Sequence, residues 1–235
     1  DFGLEPSWQP YSNVFCAPED GGGDFVRFGH WQVTGNVYFD EVRLNRVLVS
    51  HARLANDATL GEAESVRGGI YRFRPDLNWR GANYHRPLAK NRAGFNSNRW
   101  LFYPGAEVVY RQNAAGIRQK SARVRVQINY HTGGELKVEA GRDGKTWTTV
   151  ATANGERRGG WSDLPASLFP TGEIWIRLSQ AGQGSGFQVD TYEYEAALDQ
   201  PAPEADGKTH FLELAATNPQ LAVGLKAIQP LETQG

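Results

Sequence analysis

Hydrophobic and polar residues alternate with period two wherever the chain carries a readable pattern. The clearest run is Arg123 to Tyr130, in which Val124, Val126, Ile128 and Tyr130 share one face and polar side chains take the other. That is the signature of a half-buried strand. His131, Thr132, Gly133 and Gly134 read as a turn, after which Leu136, Val138 and Ala140 repeat the alternation, predicting an antiparallel hairpin. Asp143-Gly144 supplies the next turn and Thr146–Thr152 is rich in β-formers, so three strands follow in series. Further strands are expected at Gly69–Arg74, Trp100–Tyr103, Glu107–Arg111, Glu173–Ser179 and Phe187–Glu195. No stretch has the period and caps of an amphipathic helix, and only Pro165–Phe169 reads as one helical turn. The expected fold is all-β: an antiparallel β-sandwich or jelly roll, with partial β modules at both ends.

Those ends are drawn as follows. Residues 1–46, with strand-like Phe25–Phe28 and Asn36–Leu44, read as the closing strands of a first sandwich, and 47–60 as a connector. Residues 61–198 form one complete sandwich. A Pro- and acid-rich linker spans 199–207, and 208–235, with weak alternation at His210–Leu214 and Leu221–Ile228, opens a further module. A single domain whose two terminal pieces pair with each other is the alternative division.

Composition sharpens this picture in three places. Net charge is -1 over 235 residues, so the basic footprint of a nucleic-acid binder is missing and nucleic acid is not an expected partner. No apolar run approaches the ~20 residues of a membrane span, so none is expected. The chain has no Met and starts at Asp1, which reads as a piece excised from a longer protein; its one cysteine, Cys16, cannot close an internal disulfide.

Candidate chemistry lies in carboxylates and aromatics. Glu62 and Glu64 stand at i, i+2 before the first strand of the central unit, and Asp190 stands in its last strand. Adjacent first and last strands would converge these hard oxygen ligands on Ca²⁺. The Glu62-Ala63-Glu64 run with Asp190 is similar to calcium-stabilised β-sandwich carbohydrate-binding modules. Gly35 to Leu44 resembles the last strand of jelly-roll modules of that kind, with Asp40 at the metal position. Gly141 to Trp147 looks like the hairpin of discoidin-type sandwiches and, less closely, like the Asp-box turn of sialidases, from which it departs because Asp143 and Gly144 are adjacent. The resemblance implies a secreted or cell-surface, multimodular parent protein, a structural Ca²⁺ ion and a polysaccharide or glycan ligand.

Sugar binding needs aromatic faces for stacking and planar polar groups for hydroxyls. The Gly-containing stretch Asn78–Arg86 offers Trp79, Asn83, Tyr84 and Arg86; Phe95–Trp100 offers Asn96, Arg99 and Trp100; and Trp161 follows Gly159 and Gly160. Two readings stay open at these positions: a stacking platform, or aromatics that cover the sandwich edge while Asn and Arg satisfy loop backbone. No nucleophile elbow, phosphate loop or His metal spacing is present, so the chain reads as a module that binds without converting. A structural module packing on neighbouring domains, and an accessory part of a glycoside hydrolase or polysaccharide lyase, are the rivals.

Overall fold

A computed structural model describes residues 5–19, 35–54, 58–77, 82–96, 98–114 and 116–214. Its strands are β1 (Arg46–Arg53), β2 (Thr59–Leu60), β3 (Glu64–Arg67), β4 (Ile70–Phe73), β5 (Leu88–Asn91), β6 (Gly94–Phe95), β7 (Trp100–Phe102), β8 (Glu107–Asn113), β9 (Gln119–Gly141), β10 (Thr148–Ala153), β11 (Gly159–Asp163), β12 (Glu173–Leu198), β13 (Ala205–Asp206) and β14 (Thr209–Leu214). A single 3₁₀ turn, Ala166–Leu168, stands where the helical turn was expected. Every strand pairing is antiparallel. The expected all-β sandwich is the observed fold class.

Two long strands organise it. β9 and β12 pair from Trp175↔Gly141 to Leu198↔Gln119, and each takes part in both layers. The early half of β12 lies between the late half of β9 and β8, while its late half lies between the early half of β9 and β4 or β7. The crease falls where the register shifts between Ala181, Gly184 and Phe187. Gly133 and Gly184 are paired there, at φ 156° and 141°, and a Cβ on Gly133 would stand 2.8 Å from the Gly184 Cα. Only glycine admits that approach.

This corrects one expectation. His131–Gly134 is a corner inside one continuous strand, not the turn of a hairpin, because these glycines let β9 change layer while staying paired with β12. Glu173–Ser179 and Phe187–Glu195 merge into β12 for the same reason.

The alternation read from sequence fills the interior. Val124, Val126 and Ile128 face Leu136 and Val138 across the fold of β9, and together with Ile174, Ile176, Leu178, Phe187, Val189, Tyr192 and Tyr194 they are buried. Tyr130 departs from the pattern and is exposed. Its pairing shows why: Gln188 faces Tyr130 but Val189 faces Ile128, so Asn129 is an extra residue in a bulge and turns Tyr130 to the other side.

The first and last described strands pair with each other. β1 and β14 pair over six residues, Arg46↔Leu214 to His51↔Thr209, and β2 pairs with β1, so the stretch read as a connector holds two strands of a three-stranded sheet whose third member lies beyond the linker. Asn36–Leu44 contains no strand. The Phe25–Phe28 and Leu221–Ile228 stretches lie outside the described residues.

Candidate functional site

The layer containing the early half of β9 presents a polar outer face. On β9 the outward positions are Arg123, Arg125 and Gln127; on β12 they are Thr191, Glu193 and Glu195; β4 contributes Arg72 and the chain just beyond it Arg74. Directly paired residues share a face, so Trp161 of edge strand β11, opposite Arg125, belongs to the same surface.

These side chains form a lattice. Glu195 accepts Nε and Nη2 of Arg123 at 2.9 and 2.6 Å, Nε of Arg72 at 3.1 Å and Nη2 of Arg74 at 2.5 Å. Glu193 accepts Nη1 of Arg125 at 2.9 Å and lies 2.9 Å from Nε of Arg74. Arg125 also donates through Nη2 to Gln127 Oε1 at 2.7 Å. Burial alone would push the Glu195 carboxyl up, but the guanidiniums of Arg123, Arg74 and Arg72 together hold it below the usual carboxylate range. The Arg123 guanidinium carbon sits 4.4 Å from the Trp161 ring centroid, which fixes the indole on the face, and 37% of Trp161 remains exposed.

Such a surface has the parts of a binding platform. It offers an aromatic ring at one edge, N–H forks whose direction the carboxylates set, and the amide of Gln127 between them.

The other sequence-predicted residues are dispersed. Trp100 is fully buried, its Nε1–H donating to the Tyr110 hydroxyl at 2.8 Å and its ring meeting Phe95 edge-on. It is a core residue and cannot stack on a ligand, because Trp100 and Phe102 take the inward positions of β7 while Leu101 points out. Arg86 and Glu64 are also interior: Arg86 donates Nε to Oε2 at 2.6 Å and Nη2 to Oε1 at 2.5 Å, and Nη2 to the Asn113 carbonyl at 2.7 Å. Asn83 is buried, and its amide grips the backbone of Cys16, accepting from N–H at 2.7 Å and donating to C=O at 2.8 Å. Asn83 thus straps residues near the start of the chain to the sandwich. Tyr84 stacks on His51, with centroids 6.3 Å apart, and meets Phe211 edge-on. Asn96 is exposed in the β6–β7 turn; Arg99 donates to Asn98 and to Gln188 Oε1 at 3.2 Å on β12. Trp79 lies outside the described residues.

The calcium ligand set does not fit. Oε2 of Glu64 accepts the Gly61 N–H at 2.6 Å, Oε1 accepts the Tyr71 hydroxyl at 2.5 Å, and both oxygens are held by Arg86. A carboxylate already neutralised and fully hydrogen-bonded has nothing to offer a cation, and Arg86 would repel one. Glu62 is exposed, with its N–H bonded to Thr209 Oγ1, and Asp190 is the extra residue of a β12 bulge, accepting from Thr191. Among the described residues no three His, Cys, Asp or Glu side chains gather as a metal site requires.

Of the expected ligand residues that are described, Trp161 alone stands on the lattice. Its neighbours Arg72, Arg74, Arg123, Arg125, Gln127, Glu193 and Glu195 escaped the sequence reading. Their signal was the polar half of the same alternation that gave the core, but strand pairing had to be known before opposite charges fell beside one another.

Comparison with protein-family models, with curated proteins and with solved structures returned no match. The chain is therefore defined by its architecture, an all-β antiparallel sandwich whose first and last described strands pair in a separate three-stranded sheet.

Proposed function

We propose that this chain is a carbohydrate-binding β-sandwich of a larger extracellular protein, and that it binds glycan on the outer face carrying Trp161. The exposed indole of Trp161, held beside a lattice of oriented N–H donors and carboxylates, is the observation that carries this reading. A sugar ring stacks its C–H face on the free part of the indole, and its hydroxyls bond to Arg125, Gln127 and Glu193. Trp161 lies on an edge strand of an open face, which suits a polymer better than an enclosed monosaccharide.

The test is isothermal titration of a polysaccharide panel into the wild-type chain and the Trp161→Ala variant. Binding by the first and its loss in the second supports the proposal; absence of binding to every polymer overturns it.

A second reading, a module that packs on neighbouring domains, rests on the β1–β14 ribbon, where Phe211 and Leu212 are exposed on opposite faces. Replacing both with Ser leaves glycan binding intact under the first reading, and under the second it abolishes association with the adjoining domains of the parent protein.

A further inference from the structure

The bulge that turns Tyr130 outward bears on the ligand. Among the described residues of the sandwich strands, the large hydrophobic side chains that stay exposed are Leu101, Tyr130 and Trp161, and Tyr130 is the most open at 51%. All three lie on one outer face. Leu101 and Tyr130 both pair with Gln188, and Trp161 pairs with Arg125, which precedes Tyr130 on β9. On the opposite outer face the large aromatics Trp147 and Trp175 are partly buried.

Two bulges produce this arrangement. Asn129 is the extra residue of β9 and Asp190 that of β12, and the two strands stay paired on either side of them. Neither bulge ends the pairing, so what they change locally is where side chains point. Without the Asn129 bulge, Tyr130 would continue the inward row of Val124, Val126 and Ile128. The fold forgoes the burial of a large aromatic ring and places it on the Trp161 face instead.

The surface between the two rings is rich in oriented amides. Arg125 Nη2 donates to Gln127 Oε1 at 2.7 Å and Arg99 Nη1 to Gln188 Oε1 at 3.2 Å, so each glutamine is held by its oxygen. Both NH₂ groups are left without a partner among the described residues, ready to donate. Thr191, bonded to Asp190 at 3.1 Å, adds hydroxyl and carboxylate acceptors in the same stretch of β12. The edge position beside Gln127 is Gly159, which has no side chain to obstruct it.

Resting on the carbohydrate reading, we infer that Tyr130 is a second stacking position of the same site, and that the ligand is a polysaccharide chain bound over several consecutive units from Trp161 to Tyr130. With the bulge discounted, the Arg125 and Tyr130 rows are separated by about 13 Å along β9, at ~3.3 Å per residue. One sugar ring cannot touch both aromatics, whereas successive rings of a chain can, each offering an apolar C–H face to an aromatic and hydroxyls to Gln127 and Gln188.

The experiment titrates disaccharides and hexasaccharides of cellulose, xylan, mannan, chitin and polygalacturonate into the 235-residue chain, alongside the parent polymers. A hexasaccharide is expected to bind about tenfold or more tightly than its disaccharide. Tyr130→Ala should erase that difference, Tyr130→Phe should restore it, and neither should move the melting temperature, because the ring is exposed. Equal affinity for the two lengths, or a hexasaccharide that binds Tyr130→Ala as well as wild type, overturns this inference. If Trp161→Ala still loses binding in that case, the carbohydrate reading stands. No binding of any fragment or polymer overturns both.

Discussion

Arg86 and Glu64 face each other in the interior as a fork on a fork, with parallel bonds of 2.6 Å from Nε to Oε2 and 2.5 Å from Nη2 to Oε1. The Glu64 side chain is fully buried and that of Arg86 is 13% exposed. The pair lies between β3 and the loop before β5, and Tyr71 of β4 and the Gly61 backbone complete its hydrogen bonds. Removing either charge leaves the other buried and unpaired. Arg86→Ala and Glu64→Gln should each lower unfolding free energy by about 3–5 kcal/mol in urea titrations, and the double variant by less than the sum.

The same pair leads to a prediction about metal. Since Glu64 is committed to Arg86, EGTA and excess CaCl₂ should give the same melting temperature within about 1 °C; an ion bound only to the folded chain would raise it. A clear rise with calcium that Glu64→Gln abolishes would contradict the placement of Glu64 in the core.

Two of the three tryptophans on which a sugar platform was expected, Trp100 and Trp161, should behave oppositely. Trp100→Ala opens a cavity and strands the Tyr110 hydroxyl, and should cost about 3–5 kcal/mol of stability. Trp161→Ala removes a half-exposed ring from an edge strand and should change stability by less than about 1 kcal/mol. Denaturant melts of both variants check this.

Acid should destabilise the fold through two histidines. Burial lowers both His51 and His85 to about 4, with the nearby Arg86 charge adding to the effect on His51. Because the folded values lie below the unfolded value near 6.5, their stabilisation is complete above that pH. It is lost as pH falls from about 6.5 toward 4, where the unfolded chain takes up protons that the folded chain refuses. For His85, buried with Nδ1 unpaired, the full loss is on the order of 3 kcal/mol. The slope of unfolding free energy against pH over that interval should flatten in His85→Leu.

Much of the sandwich was written in single-strand patterns, and Val124, Val126, Ile128, Leu136 and Val138 face inward as their alternation demands. What escaped depends on pairing between distant segments. Gly133 and Gly134 have the chemistry of a hairpin turn, and only the partner strand with Gly184 opposite makes them a corner. Arg46–Arg53 lacks a clean period because it is half-covered along its length, and its partner lies some 160 residues on. In the site, the composition of Phe95–Trp100 and Asn83–Arg86 suggested ligand contacts, whereas Trp100 lies in the core, Asn83 holds the Cys16 backbone and Arg86 meets the buried Glu64. Trp161 was legible because glycines precede it on an edge; the arginines around it were not, since Arg123 and Arg125 acquire meaning only beside Glu195, Glu193 and the indole.

The central claim is that the Trp161 face binds glycan. Isothermal titration of the best-binding polysaccharide into the wild-type chain and Trp161→Ala, with matched far-ultraviolet circular dichroism to establish folding, tests it most directly. Saturable binding by the wild type, falling at least about tenfold in the folded variant, is the predicted result. Equal affinity of the two chains, or no heat of binding with any polymer, would contradict it.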